Sequence, residues 1–201
     1  MNNFKFYINK FYYGNETDLS ELPSILTRKF SKLDKIAISS MLKCYAKNSN
    51  PKLVFGSMHG QFDRLKRLTE QFKAENEVSP IAFSASVHNN TIGVFSLINK
   101  INSSYTALSA GEMTLASCIC EAVTLLTDKN DVLLCCADSY DGIEVAVSAL
   151  FSLKHANNAI SVSFERINSP HNSCGYADFT DFLCGKEKYY TTEYFRLEKL
   201  C

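Results

Sequence analysis

The stretch SSYTALSAGEMTLASCICEAVTLL, Ser103 to Leu126, decides how this chain is read. An extended run through Tyr105, Ala107 and Ser109 ends in the small residues Ala110 and Gly111, and a helical pattern follows at once. A strand that stops in small residues just before a helix has the geometry of a nucleophile turn. A cysteine placed there would meet the positive end of the helix and lose its proton readily. This chain has Ala110, Gly111 and Glu112 at the turn instead. Its nearest thiol, Cys118, falls about two turns into the helix, away from the N-terminal amides.

Working outward, DVLLCCADSYDG from Asp131 is a nearly continuous apolar run. Such runs belong to strands covered on both faces, as in sheets with crossover helices. Residues 143–153 read as one more helix, and NNAISVSFERI from Asn157 as a late strand. The tail after Asn168, mixed and then rich in tyrosine, is left unassigned. On the N-terminal side, Phe4 to Tyr13 alternates as a first strand, and Ser31 to Ala46 has helical spacing with lysines between its apolar residues. KLVFG from Lys52 reads as a buried strand that runs into a turn at Gly56 to Gly60. A basic helix, Gln61 to Lys73, follows, and its Arg64, Lys66 and Arg67 form a solvated face. The FGSMHG segment lacks the glycines of a dinucleotide fingerprint and the Lys-Ser/Thr ending of a P-loop. SPIAFSASVHNN, Ser79 to Asn90, reads as a strand-like run breaking into His88, Asn89 and Asn90 before a helix from Thr91, with Asn89 or Asn90 as its N-cap.

The chain has 201 residues, 46% of them hydrophobic, enough for one well-buried domain. That domain is expected to span residues 1–201, with the tail from about 168 unassigned. The formal net charge is zero, so the broad basic face needed for nucleic acid is missing. No run approaches the roughly 18 to 20 apolar residues of a membrane span, and a soluble cytoplasmic protein is expected. Cys118 and Cys120 are two apart within a helical pattern, and Cys135 and Cys136 are neighbours within an apolar strand. Neither pair has metal-site spacing. Buried free thiols are therefore expected, with no metal and no cofactor.

Together SKLDKIAISSMLKCYA, LVFGSMHGQFDRLKRL, SPIAFSASVHNNTIGVFSLI, SSYTALSAGEMTLASCICEAVTLL and DVLLCCADSYD resemble, in order, the N-terminal domain of β-ketoacyl synthases, of the short chain-length-factor kind. The resemblance spans about Lys29 to Asp141. It implies an α/β, thiolase-like half-fold, a mixed sheet of about five strands covered by helices. In such synthases the nucleophilic cysteine sits at the strand-to-helix turn, and two catalytic histidines come from a second half. Here the matching turn offers Gly111 or Glu112, depending on a one-residue choice of register. No catalytic residue is therefore assigned, and the chain is expected to act as a non-catalytic subunit. Its partner would be an active β-ketoacyl synthase in a heterodimer, with acyl carrier protein met only indirectly, in aryl-polyene or fatty-acid-like biosynthesis.

The same resemblance makes Thr91, Ile92, Val94 and Phe95 candidates for the wall that limits acyl-chain length. Residues 103–109, with Tyr105, Ala107 and Ser109, become the strand that pairs across the interface, and His88, Asn89 and Asn90 fix the helix entrance beside it. Glu112 compensates the helix dipole, worth roughly 0.3–1 kcal/mol, or imitates an acylated ligand. Without a partner the half-fold is expected to homodimerise or aggregate. Two rivals stay open: a self-contained homodimeric acyl-binding module, and a small cysteine acyltransferase or hydrolase using Cys135, Cys136 or Cys174 with His88 or His171.

Overall fold

The structure is a computed structural model that describes residues 4–167 and 175–200. In chain order it contains β1 (Phe4–Gly14), α1 (Ser24–Thr27), α2 (Lys32–Cys44), β2 (Lys52–Gly56), α3 (Phe62–Glu75), α4 (Pro80–Ser84), α5 (Asn90–Ile98), β3 (Tyr105–Leu108), α6 (Thr114–Leu125), β4 (Val132–Tyr140), β5 (Ile143–Ser152), β6 (Ile160–Arg166), α7 (Tyr176–Leu183), β7 (Tyr189–Thr191) and β8 (Phe195–Lys199). The eight strands form one mixed sheet in the order β3-β2-β4-β5-β1-β6-β8-β7. Strand β2 runs parallel to β3 and β4, and the remaining pairs are antiparallel.

Side chains along each strand alternate between the two faces, and this sorts the apolar residues into two layers. Val54, Leu134, Cys136 and Val147 pack with Leu115, Cys118 and Ile119 of α6 and Phe179 and Phe182 of α7. Leu53, Phe55, Leu133, Cys135 and Ala137 pack on the opposite face with α2 and with Ile92 and Phe95 of α5. Adjacent thiols of β4 thus enter different cores. Helix α6 lies so close to β2 that a Cβ at Gly56 would collide with the Cys118 sulfur and press on Cys136 and Thr114.

The thiolase-like α/β class holds, but the sheet has eight strands where about five were expected. One added strand is β5, which the sequence reading took for a helix. Residues Tyr140 and Ile143 face each other across a two-residue hairpin. Its central residues Asp141 (φ 48°) and Gly142 (φ 82°) are both left-handed, the backbone that an Asp-Gly pair supplies in a type I′ turn. Two more strands, β7 and β8, lie in the tail that had no assignment. The strand-like SPIAFS is instead the short helix α4, where the Ser79 hydroxyl accepts from the Ala82 N–H and Pro80 stands at the first helical position.

Candidate functional site

Strands β3, β2 and β4 run the same way, so their carboxyl ends gather three segments: the Ser109–Met113 turn, the Ser57–Gln61 turn and Asp138 to Tyr140. Clefts at the carboxyl ends of parallel strands are the usual ligand sites of α/β sheets. At the first turn Gly111 is left-handed, with φ 58°, and a Cβ built on it would have no atom within 4 Å. The Thr114 hydroxyl closes the turn, donating to the Gly111 carbonyl at 2.6 Å and accepting from the Ala110 N–H at 3.0 Å. Helix α6 begins at Thr114 after the N-cap Met113. Glu112 therefore stands just before the cap, at the helix entrance, and is exposed.

Gly111 opens on a cavity of about 310 Å³ that Met58, Leu115, Asp138 and Tyr176 help to line. Its buried carboxylate, Asp138, is hydrogen-bonded through both oxygens. The Ser57 hydroxyl (2.8 Å) and the His59 backbone N–H (2.9 Å) donate to Oδ1, and the Tyr176 hydroxyl (2.8 Å) donates to Oδ2. Burial, then the nearby thiol Cys136 and Asp138, push the Tyr176 phenol far above its ordinary range, so it stays a donor. The His59 ring stacks on Tyr140 at 4.1 Å with its Nδ1 3.4 Å from Asp138 Oδ1. Asp138, His59 and Tyr176 were missed in the sequence, where they lie far apart. The one local signal was an aspartate inside the apolar run of β4.

The His-Asn-Asn stretch has a defined use. His88 Nε2–H donates to the Ser57 carbonyl at 3.0 Å. Asn90 and Thr91 donate to a second buried carboxylate, Asp34, which is 1% exposed. Asp34 Oδ1 accepts from Thr91 (2.7 Å), Gln61 (2.8 Å) and Asn90 (3.3 Å), and Oδ2 accepts from the Ser31 N–H (2.9 Å) and Arg64 (3.1 Å). A carboxylate with five donors is a stable buried ion, and it fastens α2, α3 and α5 together. Asn89 occupies the N-cap position of α5, but its side chain does not cap the helix; it reaches the Tyr105 hydroxyl at 3.5 Å.

Of the proposed tunnel wall, Thr91, Ile92 and Phe95 are fully buried within this chain's own core, while Val94 is only half-buried. The exposed apolar residue of α5 is Leu97. Strand β3, with Tyr105 exposed and Ala107 half-buried, is an edge of the sheet, and Ser109 follows it at the surface. Cys44, Cys118, Cys135 and Cys136 are buried packing residues. Burial pushes Cys44 and Cys135 up to about 12 and Cys120 up to about 11, and raises Cys136 as well. Cys174 and His171 lie outside the described residues.

A mixed sheet with parallel strands ending at a strand–turn–helix and helices on both faces fits the thiolase-like half-fold. Within that class the particular assignment is direct: residues 9–142 match the model of the beta-ketoacyl synthase N-terminal domain, and the chain belongs to that family. A solved structure described as "Ketosynthase (ApeO) in Complex with its Chain Length Factor (ApeC) from Xenorhabdus doucetiae" contains a chain that superposes with a TM-score of 0.75 at 17% identity, over 98% of this chain and 100% of that one. At that identity the likeness is one of fold. No curated protein matches the sequence. Among the described residues, no helix is long and apolar enough to cross a membrane.

Proposed function

We propose that this chain is the non-catalytic, chain-length-factor subunit of a heterodimer with an active β-ketoacyl synthase. In this reading it stabilises the synthase and shapes its acyl tunnel in aryl-polyene or fatty-acid-like biosynthesis, and acyl carrier protein is met through the partner. The pairing named for the Xenorhabdus doucetiae structure is carried over here as part of the proposal.

The observation that carries it is the free edge of β3. Among the described residues the outer side of β3 has no strand partner, and an open edge takes up another chain's strand. Beside it, Asn89, Gly93 and Leu97 follow at four-residue spacing along one face of α5. Asn89 reaches the Tyr105 hydroxyl, a Cβ on Gly93 would meet the same hydroxyl, and Leu97, 78% exposed, extends that stripe into solvent. Tyr105, Ala107, Ser109, Asn89 and Leu97 would form the contact. His88, Asn90, Thr91, Ile92 and Phe95 hold the helix from within. The turn supports the non-catalytic role, since Gly111 or Glu112, whichever register is taken, offers no thiol where condensation needs a thiolate.

Co-expression with a synthase that keeps its cysteine and both histidines tests the reading. A stable one-to-one complex with condensing activity is expected, and the chain alone should extend no thioester-bound substrate. A synthase that purifies active without this chain, or a chain that condenses alone, would overturn it.

A further inference from the structure

A larger cavity, of about 700 Å³, lies among the residues after α1, α3, α4 and α5, away from the β3 edge. Its α5 contributors are Asn90 and Val94, each one residue on from Asn89 and Gly93, which face Tyr105. One residue is a rotation of roughly 100° about a helix axis, so cavity and edge occupy different sides of α5. Its size falls within the range of small-molecule sites, about 300–1,000 Å³.

The lining divides by chemistry. Leu68 of α3, Ile81 and Ala85 of the α4 segment and Val94 form an apolar wall, and Ile81 is 81% exposed. The rim carries Arg28, Lys29, Arg64 and Arg67. Arg64 is committed, donating to Asp34 and to the Lys29 carbonyl. That pair also neutralises the cavity's carboxylate, Asp34, whose other donors are neutral. Among the described residues the ion pairs leave out Arg28, Lys29 and Arg67. Arg67 makes only a hydrogen bond to the Asp63 carbonyl. The result is an apolar concavity under three uncommitted cations.

We propose that this cavity binds a linear amphiphile, an apolar chain ending in a single carboxylate or phosphate head. The chain lies along Leu68, Ile81, Ala85 and Val94 and removes their surface from water. The head takes charge-assisted hydrogen bonds from Arg28, Lys29 and Arg67. None of these lining residues belongs to the proposed β3 contact, so the two readings are tested separately: a failure to co-purify with a synthase leaves the cavity untouched, and its own failure leaves the β3 contact untouched.

The test is calorimetric titration of the full chain with dodecanoate, dodecyl phosphate, dodecanol and dodecyltrimethylammonium, each below its micelle concentration. Saturable binding of one or both anions is expected, with the tighter one identifying the head. The alcohol and the ammonium compound should bind at least about tenfold more weakly. The double variant Arg28→Gln/Arg67→Gln, at exposed positions, should lower anion affinity about tenfold or more while the circular dichroism spectrum is unchanged. Ala85→Trp, which fills the cavity, should remove binding. Lys29→Gln provides the same charge test should either variant misfold. Dodecanol binding as tightly as dodecanoate, anion affinity unchanged when the cations are removed, or no binding of either anion would overturn the proposal.

Discussion

The two faces of the sheet are finished differently. On the α6 face the contacts are apolar and close apart from the Asp138 cluster at the strand ends, with Gly56 admitting no Cβ against the Cys118 sulfur and aromatic rings from α7 and β8 completing the layer. On the α2 face the inner layer is equally buried, but the outer elements hang on one ion, Asp34, and its donors from α3 and α5. Beyond that ion Ile81, Phe83, Val87 and Leu97 stay exposed. Isolated apolar surface residues are ordinary, whereas several on one segment mark a surface with business elsewhere. One face is closed by packing; the other is pinned by a polar hub and left open.

The sharpest way to break this comparison is at the hub. Asp34→Ala removes the ion-pair partner of the largely buried Arg64 cation and one acceptor each from Gln61 and Thr91. Loss of one partner from a buried pair costs about 3–5 kcal/mol. Urea unfolding should show that loss, and a change below about 1 kcal/mol would mean that α5 is held by packing alone. On the opposite face, Gly56→Ala should cost about 1–3 kcal/mol by overpacking, recovered in part by Cys118→Ala. Unchanged stability in the single variant would show that α6 can move away.

The buried thiols add a pH dependence with a definite sign. Cys44 and Cys135 titrate near 12 in the folded chain and Cys120 near 11, against 9.0 for an ordinary thiol. Above about pH 9 the unfolded chain therefore holds fewer protons than the folded one, and stability falls as pH rises through the window from 9 to 12. It is flat with respect to these groups below that. Thermal melts from pH 8 to 11 check this, and a Tm that holds constant would contradict the burial. At neutral pH iodoacetamide should label Cys184, which is exposed, well before Cys44 or Cys135.

The smallest effect on stability is expected at the open face. Leu97→Lys should change unfolding free energy by less than about 0.5 kcal/mol yet abolish co-purification with a synthase. A variant that still assembles would move the contact away from α5.

Much of the architecture was legible because its signals are local. The alternation of Phe4 to Tyr13, the spacing of Ser31 to Ala46 and the extended–small–helical order around Gly111 each lie within a few turns of chain, and each appears where the pattern put it. The misread segments had competing local signals. In β5 nearly every residue from Val145 to Phe151 is apolar or small, which fits a buried helix or a buried strand equally, and the Asp141-Gly142 turn should have decided it. In SPIAFS the N-cap serine and first-turn proline outweighed strand-like composition. The two carboxylate clusters were not legible at all, since Asp138 meets Ser57 and Tyr176 across 81 and 38 residues, and Asp34 meets Thr91 across 57. Only the short-range half of the Asp34 arrangement, its capping box with Ser31, is written in adjacent residues.

The position of β1 bears on how the molecule is made. Strand β1 is seated in mid-sheet between β5 and β6, pairing with residues 146–152 on one side and 160–164 on the other. Every strand that pairs with it lies more than 130 residues further along the chain, whereas Tyr12, under the Lys43 ammonium of α2, has a partner close in sequence. Until those strands are made, both edges of β1 stay open to pairing with another chain.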